Sequence, residues 1–228
     1  MADIGGIVKD VILGAFGCAG LWKLLEKHLD DKSLIAKAKI AAESKASSAE
    51  RRILTEAGML SLHTVSDVIE KNFAPLGADR VILFSGHNCG GVPSPGKPYY
   101  VTAMQWYAAN PEHMERMEAY RRIRVDPAYI KMLYCISCPT ADEPNEPGWR
   151  YDRNNGLIVL KTDEMDRCQL KTYYEAEGVV ESVIVFLGIT DFNLYYMSIA
   201  RHEGSYSEAN ISDILLQTNR IAPEVLKW

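Results

Sequence analysis

Residues 179–201 read VVESVIVFLGITDFNLYYMSIAR, two runs of β-branched and aromatic residues on either side of a short turn at Thr190 to Asn193. Such residues suit the pleated, half-buried surface of a sheet, and a turn this short joins antiparallel neighbours. Two strands alone do not make a stable unit, so the sheet needs further strands and a covering layer. The next stretch, SYSEANISDILLQTNRIAPEV, offers the cover: Ile211, Ile214, Leu215, Thr218 and Ile221 hold a helical spacing, and Ser205 with Glu208 has the form of a capping box.

The same reading extends upstream. GLIVLK predicts a strand, and DEMDRCQLKTYYEAEG a helix ending at Gly178. RVILFSGHN (80–88) and PYYVTAMQWYA (98–108) are β-rich runs separated by CGGVPSPGK, turn material that predicts a hairpin with a long loop. Ahead of them Leu54, Leu62, Val65 and Ile69 fall on one face of a core-facing helix, with Ser47 and Glu50 as its capping box. The stretch 109–137 is less regular, helical around Glu112 to Arg122 and either strand or short helix around Ile130 to Ile136. CPTADEPNEPGWRYDRNNG reads as a proline- and acid-rich loop of the lid kind.

Helices and strands in this order predict an α+β fold, an antiparallel sheet flanked by helices. With 228 residues and 47% hydrophobic content, the chain is expected to form one domain (48–228) with an appendage. A net charge of −5 supplies no basic face, which argues against nucleic acid as a partner. Five cysteines, an odd number spread through the chain, argue for a reducing compartment over a disulfide framework.

The appendage begins with an apolar helix (1–23). Val11 to Trp22 is free of charge for 12 residues, whereas a membrane-spanning helix needs about 20. Gly14 with Cys18, and Ala15 with Ala19, make small-xxx-small pairs that let helices approach closely in lipid or in protein. Trp22 followed by Lys23, Lys27 and Lys32 has the pattern of an interfacial aromatic backed by cytoplasmic charge. The segment is therefore expected to be an anchor or an oligomerisation helix through Val11, Gly14, Ala15, Cys18, Ala19 and Trp22, with the globular domain in the cytoplasm. Residues 24–47, rich in Ala, Lys, Leu and Glu, read as a charged helical stalk.

Residues 173–225, YYEAEGVVESVIVFLGITDFNLYYMSIARHEGSYSEANISDILLQTNRIAPEV, resemble the closing half of a GAF domain, and GADRVILFSGHN resembles its first strand. The resemblance covers about residues 48–226 and implies a pocket between sheet and excursion, used for a small ligand or for joining two chains. The signatures of the cyclic-nucleotide-binding and bilin-binding members are absent, so no cofactor is implied. GAFGCAGLWKLLEKHLDDK resembles the front of small phage-encoded, holin-like membrane proteins, which implies a structural or membrane-associated assembly component, in the virion or at a membrane.

The sequence carries no enzyme signature: Walker, HExxH and GxSxG patterns are missing. His87, Cys89, Cys135 and Cys138 have the chemistry of a zinc set, although a CxxC on an apolar element more often packs as small buried side chains. Phe84, Tyr100, Met104, Trp106, Tyr134, Trp149 and Tyr151 are candidates to line a ligand cavity. The expectation is a non-enzymatic sensor or interaction domain, taking a small-molecule ligand and assembling as a homo-oligomer or on a membrane through its first helix.

Overall fold

The computed structural model describes residues 52–53, 55–88, 97–110, 115–138, 145–190 and 193–227. The expected opening helix and stalk, the Ser47/Glu50 capping box and Cys89 lie outside them. The chain divides into two units, 1–57 and 58–228, and the fold is that of the second.

Seven strands form one antiparallel sheet: β1 (Arg80–His87), β2 (Tyr100–Ala108), β3 (Ile123–Arg124), β4 (Trp149–Asp152), β5 (Leu157–Lys161), β6 (Glu181–Thr190) and β7 (Asn193–Arg201). Their order is β3-β2-β1-β7-β6-β5-β4, so the first and last strands of the sequence lie side by side at the centre. Central position explains composition: Leu194 to Ala200 are all buried, because both faces of β7 are covered.

Alternation along the strands sorts the core into two layers. Ile82, Phe84, Val101, Ala103, Ile158, Leu160, Ile184 and Tyr196 pack beneath helices α2 (Pro127–Ser137) and α3 (Gln169–Glu177). Val81, Leu83, Val159, Val183, Val185 and Met197 pack beneath α1 (residues 58–68) and α4 (Glu208–Val225). Of the expected helical faces, Val65, Ile69, Ile211, Ile214, Thr218 and Ile221 are buried, Leu62 and Leu215 are half-buried, and Leu54 lies outside the described residues.

Several local expectations change. The N-cap of α4 is Ser207, in a reciprocal box with Asn210, and not Ser205 with Glu208; Ser207 is the residue whose extended backbone aims its hydroxyl at the N–H three residues on. Residues 127–137 are helix, begun by Asp126, whose carboxylate accepts from Tyr129 N at 2.8 Å, and by Pro127 in the first turn. The described part of the preceding excursion is a 3₁₀ turn, Glu115–Tyr120. The second half of the expected lid is edge strand β4, since Trp149 to Asp152 pair with Leu160 to Leu157.

Arg201 closes the fold at the end of β7. Its guanidinium donates to the carbonyls of Leu76, Gly77 and Ser205 at 2.6, 2.9 and 2.7 Å, joining the end of the α1 segment to the loop before α4. Gly77 makes this approach feasible: its φ is +76°, and a Cβ there would lie 2.3 Å from Arg201 Nη2. Gly178 also has a positive φ, +85°, but a Cβ there meets nothing within 4 Å. Gly178→Ala is therefore expected to cost only the left-handed backbone penalty, about 1–2 kcal/mol, and Gly77→Ala distinctly more, measured by urea unfolding. Equal losses would show that Arg201 does not act as a clamp.

Candidate functional site

Arg80 begins β1 in phase with Ile82 and Phe84, which turns its side chain onto the α2/α3 face, where it is fully buried. Its Nε lies 2.7 Å from Glu177 Oε1, close but misaligned for a hydrogen bond. Its Nη1 donates to Ser198 Oγ at 3.0 Å, and Ser198 in turn meets Ser182 Oγ at 3.0 Å. The guanidinium carbon stands 5.4 and 5.7 Å from the ring centres of Tyr120 and Tyr174. Nη2 is buried and finds no hydrogen-bond acceptor among the described residues.

Glu177 is the last residue of α3, where the helix presents carbonyls and disfavours negative charge. Arg80 offsets that, as does Tyr120, whose hydroxyl donates to Glu177 Oε2 at 2.6 Å. His202 adds a flank, with Nε2 3.7 Å from Glu177 Oε1 and Nδ1 4.0 Å from Asp79 Oδ2. Burial works against the charge on Arg80, but Tyr120, Glu177 and Tyr174 outweigh it and hold its pKa above the ordinary arginine value.

The rest of this interior is aromatic. Phe84 stacks on Tyr196 with ring centres 5.0 Å apart and meets Tyr120 edge-on at 5.9 Å. Tyr196 and Tyr129 share a hydrogen bond of 2.7 Å between their hydroxyls. Burial pushes the phenols of Tyr120, Tyr129 and Tyr196 well up, so each remains a neutral group at pH 7. Protonated phenols, an engaged carboxylate and a fixed cation are suited to binding and orienting a molecule.

The structure distributes the seven aromatic and Met candidates. Phe84 lies in this interior, and Trp106, Trp149 and Tyr151 pack against its edge. Tyr100 instead pairs with His87, ring centres 6.3 Å apart, and carries Arg122 over its face at 4.5 Å. Met104 is the extra residue where the β1/β2 register shifts, which leaves it 43% exposed. Tyr134, on the outer side of α2, is 54% exposed. Arg80, Glu177, Tyr120, Tyr129, Tyr174, Tyr196, Ser182 and Ser198 were not among the sequence candidates. For three of them the signal was phase: an arginine and two serines sit in step with buried strand residues.

Among the described residues no three His, Cys, Asp or Glu side chains gather as a metal-ligand set. Cys135 is buried in α2 and burial pushes its thiol up. Cys138 caps that helix, while Cys168 caps α3, its Sγ accepting from Lys171 N at 3.4 Å. His87, at the end of β1, has Nε2 2.9 Å from Thr102 Oγ1.

No family model matches the sequence, and no curated protein matches it. Among solved structures, the chain is similar to the phycoerythrobilin-bound GAF domain of a cyanobacterial phytochrome: identity is 17%, coverage 79% of this chain and 94% of that one, and the TM-score 0.42. It is also similar to a domain of a putative two-component sensor histidine kinase from Sinorhizobium meliloti 1021 (11%, 72% and 89%, 0.41). Escherichia coli SdiA is a third such structure (16%, 79% and 66%, 0.42). At these scores the functional reading comes from the chain's own residues.

Burial and the Arg122 charge hold the His87 pKa below its ordinary 6.5. A group whose folded pKa is depressed in this way leaves the unfolded state binding more protons, so stability falls as pH drops from 6.5 toward the folded-state pKa. Wild-type protein is expected to lose stability over that window in urea titrations, and His87→Gln to lose less. A His87 ring that titrates by NMR at or above 6.5 contradicts this.

Proposed function

We propose that residues 58–228 form a non-enzymatic sensor or interaction domain, read out through the α2/α3 face of its sheet. The observation that carries this is the fully buried Arg80, whose Nη2 has no acceptor among the described residues. A buried ion pair is a poor device for stability alone, because apolar groups of similar volume are often as stabilising or more so. A cation held by Glu177, walled by Tyr120 and Tyr174 and with an N–H left over, suits a small molecule that brings a carbonyl or carboxylate oxygen.

The opening segment, Val11 to Trp22, completes the proposal as the tether that brings the domain to an assembly or a membrane, on the strength of its apolar run and small-residue spacing. No helix among the described residues is long and apolar enough to cross a membrane.

A library of small carboxylates and carbonyl compounds tests the ligand by thermal shift on the full chain. At least one compound is expected to raise Tm, and Arg80→Met to abolish the response while still unfolding cooperatively. If no compound raises Tm, and acid precipitation releases no small molecule from purified protein, the sensor reading fails. The tether predicts full chain in the membrane pellet after an alkaline carbonate wash, or a soluble oligomer. A soluble monomer contradicts it.

A further inference from the structure

On the opposite face of the sheet a recess of about 440 Å³ opens beyond the N-terminus of α4. Val159, Lys161 and Glu181 line it from β5 and β6, Arg150 from β4, and Tyr206 from the chain entering α4. Glu181 is 3% exposed, and its Oε1 accepts from Tyr206 N at 2.6 Å. The other carboxylate oxygen, Oε2, makes no hydrogen bond to a described residue and is open to the recess. A largely buried carboxylate that borders a recess with one oxygen open to it can accept a hydrogen bond from a cationic ligand.

The neighbouring charges supply the second half of the recognition. Lys161 is the register partner of Glu181 across β5 and β6, so opposite charges stand side by side on adjacent strands. Lys161 Nζ is instead paired at 3.1 Å with Glu164, both about half exposed, and Arg150 Nη1 is paired at 2.5 Å with Glu208 on the surface. Exposed pairs of this kind contribute little, so either cation can turn to a bound anion. The volume falls within the range of small-molecule sites.

We propose that this recess binds a small zwitterion, with the chemistry of a free amino acid. Its ammonium group donates to Glu181 Oε2, its carboxylate meets Lys161 and Arg150, and its side chain lies over Val159. The site is separate from the Arg80 interior and on the other side of the sheet, so it holds or fails independently of that reading.

The test uses the full chain, titrated to about 10 mM with each common L-amino acid and with its N-acetyl derivative, read by Tm and by NMR shifts of Val159 and Glu181 amides. At least one free amino acid is expected to bind saturably, and its N-acetyl form, which lacks the ammonium, to bind at least about tenfold more weakly. Glu181→Gln keeps an oxygen for Tyr206 N and is expected to lose a similar factor. If no free amino acid binds, if the N-acetyl forms bind equally, or if a folded Glu181→Gln binds as well as wild type, the proposal is overturned. The N-acetyl comparison needs no variant, so misfolding of Glu181→Gln cannot shield it.

Discussion

The contact between Arg80 and Glu177 constrains everything around it. It joins the first residue of central strand β1 to the last residue of α3, two elements nearly a hundred residues apart in the chain, through a pair of charges fully removed from water. Desolvating two ions costs several kcal/mol each, repaid only where geometry and further hydrogen bonds are good. The surroundings follow from that requirement. Ser198 on β7 and Tyr120 before β3 place their hydroxyls on the pair where an apolar core would place methyl groups, and Ser182 on β6 holds the Ser198 hydroxyl in turn. Tyr174 sets its ring against the guanidinium from α3.

The two faces of the sheet therefore differ in chemistry. The α1/α4 face is aliphatic over Val81, Leu83, Val183, Val185 and Ile199, where the two helices cover it. The α2/α3 face mixes Ile and Leu with a chain of tyrosines and the buried pair. Arg201 works at the boundary as a clamp on backbone carbonyls, and its guanidinium stacks 4.2 Å from the centre of the Tyr206 ring. One strand, β7, thus supplies Tyr196 and Ser198 to one side, Met197 and Ile199 to the other, and Arg201 at its end.

The hairpin β6–β7 and the helix after it were legible from short-range pattern: unbroken β-branched and aromatic runs through VIV and YYMSIA, buried on both faces, and period 3.6 through Ile211, Ile214 and Ile221. Strand β4 was not. Its four residues sit in a run of prolines and acids, and only pairing with Leu157 to Leu160 makes WRYD a strand. The α2 stretch was ambiguous because AYIKMLYCIS is apolar at both spacings, and Asp126 with Pro127 decides it as a helix start. Candidates near one another in sequence, such as Tyr100, Met104 and Trp106, separate in space through the pleat and the bulge at Met104. The aromatics that do gather, Tyr120, Tyr129, Tyr174 and Tyr196, come from four elements, so no local pattern announces them. Arg80 hid at a strand boundary, where a charge ordinarily marks exposure.

The central claim is that Arg80 and Glu177 act as one coupled unit that organises the interior. A double-mutant cycle of Arg80→Met, Glu177→Leu and both together, by urea unfolding, tests it most directly. Each single change strands a buried opposite charge and should cost about 3–5 kcal/mol, with the double variant well short of the sum. Single losses below about 1 kcal/mol, or losses that simply add, would contradict it.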